Sequence, residues 1–223
     1  YNLSYFPDEY RFHFNAHNLV VYGKNEDHYL ISDPVMETVT ELTETELEKV
    51  RFAKGVFAPK GHIYYPIVFP KELDIKIPII KGIRETCKTM LAPIPIVGVK
   101  GIRYTANLVR KWPQKKGVKQ ANHTLGQIVR MQEEIGTGGG GFRYIYAAFL
   151  QEAADILSKT ELRELSKEMT AIGDMWRDFA LDASRIYKNR GAKTDAYNDV
   201  ADQMDRIADR EEHFFKNLRK AIK

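Results

Sequence analysis

The spacing of hydrophobic residues changes once along this chain, near residue 75, and no other feature of the sequence constrains the fold as strongly. Before that point, hydrophobic runs such as LVVYG and HYLIS are separated by the turn-forming segments KNED and DP, a pattern typical of antiparallel strands. After it, hydrophobic residues recur every three or four positions, which is typical of amphipathic helices in a bundle. We therefore predict an α+β protein with a β-rich domain over residues 1–75 and an all-helical domain over residues 76–223.

Local signals predict where some of these elements begin. Thr43 and Glu46 have the T-x-x-E spacing of a capping box, which predicts the start of a short helix. The run IYYPIVFP, which starts at Ile63, predicts a further strand in the β-rich domain. Ser158 and Glu161 are spaced as a second capping box, in front of the first of two long helices near the end of the chain.

A histidine and an aspartate flank the first predicted hairpin. Residues two apart in a strand share a face, so His17 lies with Asn15 on a polar face, while Asp33 ends the partner strand. We expect the Asp33 carboxylate to accept a hydrogen bond from the Nδ1–H group of His17. A cysteine nucleophile requires such a base, held in one orientation by a carboxylate. We therefore predict His17 and Asp33 as catalytic residues of a thiol active site.

Two alternatives for these residues stay open at this point. His17 and Asp33 also fit an ordinary histidine at a strand end and an Asp-Pro turn. His13 and His17 have H-x-x-x-H spacing, but this spacing places two metal ligands together on a helix rather than on a strand. Because no cysteine or acidic third ligand stands nearby, we predict no metal site.

Longer segments resemble a known family. The segment HNLVVYGKNEDHYLISDP, residues 17–34, resembles the His-strand-turn-strand-Asp signature of papain-like C39-type folds, and most of all the N-terminal domain of the butirosin-biosynthesis BtrH acyltransferase family. The segments YNLSYFP at residues 1–7 and EEIGTGGGGFRYIYAAFLQEAADIL at residues 133–157 are also similar to that family. With the helices around Trp176, the resemblance covers nearly the whole chain.

This resemblance implies a papain/C39-like cysteine-hydrolase lobe, incomplete at its N-terminus, followed by a helical domain. It implies an enzyme of antibiotic biosynthesis whose thiol takes an acyl group from the pantetheine thioester of a carrier protein and passes it to a small-molecule amine. His17 and Asp33 match the base and the orienting carboxylate of the family. The nucleophilic cysteine would lie upstream of Tyr1. No other cofactor is implied.

The one cysteine of the chain, Cys87, lies on a hydrophobic stripe with Ile83 and Met90, which favours burial over catalysis. A single cysteine cannot form an internal disulfide, so we expect a cytoplasmic protein. Two alternative functions stay open: a thiol peptidase or amidase, because the same base and carboxylate serve hydrolysis, and a non-catalytic binding module that keeps the fold.

The glycine run GTGGGGF permits backbone angles that are closed to other residues, so its N–H groups could converge on an anion at the start of the next helix. We predict Gly138, Gly139, Gly140 and Arg143 as residues that bind a pantetheine phosphate. No strand precedes the loop and no Lys-Ser/Thr follows it, so it is not a P-loop. The alternative is a tight interhelical turn, with Arg143 paired to an acidic residue.

Positive charge is concentrated in one region, although the net charge is only +4. Between residues 85 and 133 there is no acidic residue, and the cations are Lys88, Lys100, Arg103, Arg110, Lys111, Lys115, Lys116, Lys119 and Arg130. We predict that residues 100–119 bind an acidic acyl carrier protein, with a solvated charged face as the alternative. Aromatic residues there are too few to stack nucleic-acid bases, and no hydrophobic run approaches the roughly 20 residues of a membrane span. Homo-oligomer formation through exposed helix ends stays open.

Overall fold

The computed structural model describes residues 2–8, 15, 17–134, 137–189 and 196–222, and the chain divides into two compact units, residues 1–71 and 72–223. Over the described residues it contains a three-stranded antiparallel sheet and seven α-helices, which confirms the α+β class. None of the helices formed by these residues has both the length and the apolar character needed to cross a membrane.

The sheet of the first unit is built on the predicted hairpin. Strands β1 (Val20–Asn25), β2 (His28–Ser32) and β3 (Thr40–Thr43) lie in the order β1-β2-β3, and β1 is irregular between Val21 and Gly23. Val20 pairs with Ser32, so the chain just before β1 and the chain just after β2 meet at the same end of the hairpin. This register places His17 and Asp33 at one end of the sheet.

Helix α1 (Glu44–Arg51) begins at the predicted capping box. The Glu46 N–H group donates to the Thr43 hydroxyl oxygen at 3.3 Å, and the Thr43 N–H group donates to the Glu46 carboxylate at 2.9 Å. The first four N–H groups of a helix have no partner within it, and two of them are satisfied here by side chains. The core beneath the sheet and α1 consists of Leu3, Ile31, Leu42 and Leu47.

The prediction of a strand that starts at Ile63 is wrong. Residues 62–70, all of them described, form no strand, and their large side chains are exposed, Tyr64 to 86% and Ile67 to 81%. Pro66 and Pro70 have no N–H group to donate to a neighbouring strand. The β-branched and aromatic residues gave the segment the composition of a strand, but composition does not supply the partner that a strand requires.

The second unit is helical. Its helices are α2 (Lys76–Met90), α3 (Gly98–Lys116), α4 (Val118–Glu133), α5 (Arg143–Leu157), α6 (Glu161–Tyr187) and α7 (Ala196–Ala221). The predicted stripes meet in one buried cluster that includes Leu150, Phe179 and Phe214. The second predicted capping box is wrong, because Ser158 ends α5 with a left-handed backbone (φ 53°) and no side chain caps α6.

Candidate active site

Asp33 lies just after β2, and its side chain is fully buried, with three hydrogen-bond donors around it. Its Oδ2 atom accepts a hydrogen bond from His17 Nε2 at 2.8 Å and another from the Tyr5 hydroxyl at 2.7 Å. Its Oδ1 atom accepts from the Val35 N–H group at 2.9 Å. The structure therefore brings together the histidine and the aspartate that the sequence singled out. His13, the other histidine considered for a metal, lies outside the described residues.

The nitrogen that binds Asp33 is Nε2 and not Nδ1, so this part of the prediction is wrong. The prediction placed His17 within a strand, whereas residues 17–19 precede β1 and belong to no strand. An ionised carboxylate only accepts hydrogen bonds, which assigns the proton of the neutral ring to Nε2. Nδ1 is then the basic nitrogen, and it has no hydrogen-bond partner among the described residues.

Hydrogen bonding keeps Asp33 ionised in spite of its burial. Burial by itself raises the pKa of this carboxyl group, but the bonds from Val35 N–H, His17 and Tyr5 together outweigh it and hold the pKa below its ordinary value. For Tyr5, burial first and the Asp33 contact second raise the pKa of the hydroxyl far above its ordinary value, so Tyr5 stays a donor. Asp33 is thus kept as the acceptor of this cluster, and Tyr5 as one of its donors.

A cavity of about 880 Å³ opens beside this pair in the first unit. His17 lines the cavity, together with Asn15, Leu19 and Arg51, whereas the fully buried side chain of Asp33 does not. The His17 side chain is 23% exposed, and its ring packs against the Phe6 ring in a T-shaped arrangement with 5.6 Å between ring centres. A reactant in the cavity can therefore reach the imidazole but not the carboxylate that orients it.

Cys87 lies in the core of the helical unit and is fully buried, which confirms its predicted burial. Burial raises the pKa of its thiol to about 11. Because the thiolate is the nucleophilic form of cysteine, a thiol of this kind is inert near neutral pH.

The glycine segment turns the chain tightly between α4 and α5. Gly138 to Gly141 all have positive φ angles, between 56° and 83°. The Gly139 N–H group donates to the Thr137 hydroxyl at 3.2 Å, and the Gly140 N–H group donates to the Glu133 carboxylate at 3.0 Å. A Cβ atom on Gly140 would lie 3.3 Å from the backbone of Gly173. Since these amides already bind acceptors of the chain, one of them negatively charged, the geometry favours the tight-turn alternative over an anion site.

Arg143 pairs with Glu211, a buried acid that the sequence analysis did not identify. The Arg143 guanidinium donates to both carboxylate oxygens, at 2.9 and 3.0 Å, and Trp176 Nε1 donates to one of them at 2.8 Å. Glu211 is fully buried on α7. A signal existed, because Glu211 occupies the hydrophobic stripe of α7 between Ile207 and Phe214, where a charged residue requires a partner.

Part of the basic region is neutralised within the helical unit. Arg103 binds Asp209 at 2.6 Å and Glu212 at 2.9 Å, and Arg110 binds two further acids of α7. Five lysines of residues 100–119 remain exposed, namely Lys100, Lys111, Lys115, Lys116 and Lys119. The cationic surface of α3 and the start of α4 is therefore made of lysines.

The fold and site define a class: an α+β protein that joins a small sheet, with a histidine–aspartate pair at one end, to a helical unit. Comparison with family models assigns the chain more closely. Residues 45–218 match the family described as a domain of unknown function, DUF4872, and the chain belongs to this family. Residues 1–34, which include His17 and Asp33, match the N-terminal family of butirosin biosynthesis protein H. A search of curated proteins returned no match.

Proposed function

We propose that this chain is part of a cysteine-dependent acyltransferase with a papain/C39-like site, in which His17 is the base and Asp33 orients it. The observation that carries the proposal is the 2.8 Å contact between His17 Nε2 and Asp33, which leaves Nδ1 as the basic nitrogen of a ring that lines an open cavity. The match of residues 1–34 to the N-terminal family of butirosin biosynthesis protein H supports an activity in biosynthesis.

The thiol of this site belongs to a cysteine outside residues 1–223, because the only cysteine of the sequence is buried and inert. His17 Nδ1 takes the proton of that thiol, and the thiolate attacks the carbonyl carbon of a carrier-bound thioester. The new carbon–sulfur bond forms as the bond to the carrier sulfur breaks, and the imidazolium gives its proton to the departing carrier thiolate.

The second half of the reaction mirrors the first. A small-molecule amine attacks the enzyme thioester, a carbon–nitrogen bond forms and the bond to the cysteine sulfur breaks. His17 Nδ1 accepts the proton that the amine loses and returns it to the cysteine. Asp33 acts in both halves by stabilising the imidazolium through its bond to Nε2. Water in place of the amine would give hydrolysis, so the acceptor decides between transfer and a thiol amidase or peptidase.

The experiment is an acyl-transfer assay on the protein that carries the cysteine segment in front of residue 1. It is mixed with an acylated carrier protein, with and without an amine, and the products are separated by mass. We expect an amide and an acylated enzyme, and we expect His17→Ala to lose both. His28→Ala is the matched control, since His28 is an exposed histidine of β2 outside the site.

Other outcomes discriminate among the alternatives. Free acid as the product with the amine present would replace the transferase by a hydrolase. If neither the wild type nor His17→Ala forms acyl-enzyme or amide, the chain is a non-catalytic binding module and not an acyltransferase.

For the donor, we propose an acidic carrier protein that binds the exposed lysines of α3 and the start of α4, since complementary charge steers association. Lys111 and Lys115 are one helical turn apart and both exposed. We expect Lys111→Glu/Lys115→Glu to weaken carrier binding and to remove its dependence on salt. Lys167→Glu, on the exposed face of α6, is the control. Binding that is insensitive to salt and to the double reversal would reject this partner.

A further inference from the structure

The segment of residues 2–8 is fixed against the first unit at several points. Leu3 is buried in the core with Ile31, and the Asn2 side chain donates to the Lys49 carbonyl at 3.4 Å. The Phe6 N–H group closes a turn on the Leu3 carbonyl at 3.2 Å. Tyr5 lies inside this turn, partly buried, with its ring edge-on to Phe6 at 5.3 Å. Its hydroxyl is therefore held in place by the packing of the segment and not only by its own contacts.

That hydroxyl donates to Asp33 Oδ2 at 2.7 Å, and the same oxygen accepts from His17 Nε2 at 2.8 Å. The other oxygen binds one backbone N–H group, from Val35. A carboxylate held by a single backbone bond can turn about its Cβ–Cγ bond. The two donors on Oδ2 come from different segments of the chain, so together they fix the plane of the carboxylate. Without Tyr5, the Asp33 oxygen that orients the imidazole would keep, among the described residues, only the imidazole itself as a partner.

We propose that Tyr5 is the positioning residue of this pair: it holds the carboxylate of Asp33 so that His17 keeps its proton on Nε2 and presents Nδ1 as the base. Its importance for catalysis rests on the proposed function, whereas its effect on the pair does not. Nothing in the sequence analysis assigned a role to Tyr5. A tyrosine suits this place because burial and the neighbouring Asp33 carboxylate raise the pKa of its hydroxyl, which therefore stays a donor.

Among the described residues, Tyr5 contacts the His17–Asp33 pair directly through its hydroxyl. The ionisable side chains that line the same cavity as His17 are those of Arg51, Lys54, His62, Tyr64 and Tyr65. Arg51 is engaged at 2.8 Å with the Gly61 carbonyl. Removing the Tyr5 hydroxyl leaves all of these charges in place, and it removes the hydrogen bond to Asp33 together with the hydroxyl contact to Thr40.

The test is Tyr5→Phe in the chain of residues 1–223, followed by nuclear magnetic resonance. The carboxyl carbon of Asp33 reports its protonation, and the ring nitrogens of His17 report the tautomer. We expect the Asp33 titration to move to higher pH, because one hydrogen bond to the ionised form is lost, and the Nε2–H tautomer to decrease. In the complete protein, kcat for acyl transfer should fall about tenfold at nearly constant KM, the loss expected for one hydrogen bond to a charged group.

Tyr29→Phe is the matched control. Tyr29 packs against the same core cluster, but its hydroxyl binds no described residue. The positioning role is overturned if Tyr5→Phe leaves the Asp33 titration and the His17 tautomer as they are in Tyr29→Phe.

If Tyr5→Phe does not fold, 3-fluorotyrosine inserted at position 5 keeps the shape and donates more strongly, so the Asp33 titration should move to lower pH. An unchanged titration in that protein overturns the inference as well. A shifted titration together with a wild-type protein that transfers no acyl group would refute the proposed function alone.

Discussion

The buried ion pair between Arg143 and Glu211 makes a quantitative prediction about the helical unit. Glu211 is fully buried and accepts three N–H donors, two from Arg143 and one from Trp176. In Glu211→Gln, the amide oxygen can keep the bond to Trp176, but the amide nitrogen then faces the guanidinium of Arg143. Both of these groups are hydrogen-bond donors, so no bond forms between them. The variant therefore loses one charge-assisted hydrogen bond and leaves the Arg143 cation without a counter-charge.

The expected cost follows from the exposure of the two partners. Breaking a buried ion pair on one side typically costs about 3–5 kcal/mol. The Arg143 side chain is 21% exposed and can recover part of its hydration, which places Glu211→Gln near the lower end, at about 3 kcal/mol. Arg143→Gln should cost more, because the carboxylate that it abandons is fully buried.

Urea unfolding measures these differences. Both tryptophans of the chain, Trp112 and Trp176, lie in the helical unit, so tryptophan fluorescence follows the unfolding of that unit alone. Glu212→Gln is the control: it is the same substitution one residue on, in an ion pair with a 36% exposed carboxylate, and should cost at most about 1 kcal/mol. With a typical slope of about 1–3 kcal/mol per molar urea, the midpoints should differ by roughly 1 M.

The reasoning is refuted if Glu211→Gln and Glu212→Gln unfold at the same urea concentration with equal slopes. Equal midpoints would mean that burial of the carboxylate contributes nothing beyond what an exposed ion pair contributes.

Further predictions concern single groups. Gly140→Ala should destabilise the helical unit by about 1–3 kcal/mol, because φ is 56° and the added Cβ would lie 3.3 Å from the backbone of Gly173. The control Gly82→Ala, in α2 with open space around it, should stabilise the unit by up to about 1 kcal/mol. Thermal unfolding measures both changes. Cys87 should react with a thiol reagent only after unfolding, and rapid reaction of the folded chain would contradict its burial. Asp33→Asn should invert the tautomer preference of the imidazole and lower acyl transfer by about 10⁴-fold, whereas an activity within tenfold of wild type would remove the carboxylate from the mechanism.

The sequence predicted those features that depend on neighbours along the chain. The hairpin follows from alternating hydrophobic residues on either side of a turn, and the capping box of Thr43 and Glu46 from spacing within one helical turn. The meeting of His17 and Asp33 follows in turn from the register of the hairpin. Which ring nitrogen meets the carboxylate depends on side-chain torsions, which no sequence pattern encodes.

The features that sequence reasoning missed join distant residues. Tyr5 lies 28 positions from Asp33, in a segment without a periodic pattern, so nothing local marks its hydroxyl as part of the site. The partner of Arg143 lies 68 positions away, on another helix. A contact of this kind depends on how the elements pack together and not on the secondary-structure propensity of either segment. It can therefore be identified only from the tertiary structure.

The irregularity of β1 between Val21 and Gly23 affects the tendency of this protein to aggregate at high concentration. Among the described residues β1 has only β2 as a neighbour, so its outer side offers free backbone groups next to exposed Val20 and Tyr22. A regular strand of that composition would template the growth of intermolecular sheets, and a bulge interrupts the repeat that an incoming chain has to match. Engineering that removes the bulge to straighten β1 should therefore favour aggregation, even where it leaves the thermal stability of the sheet unchanged.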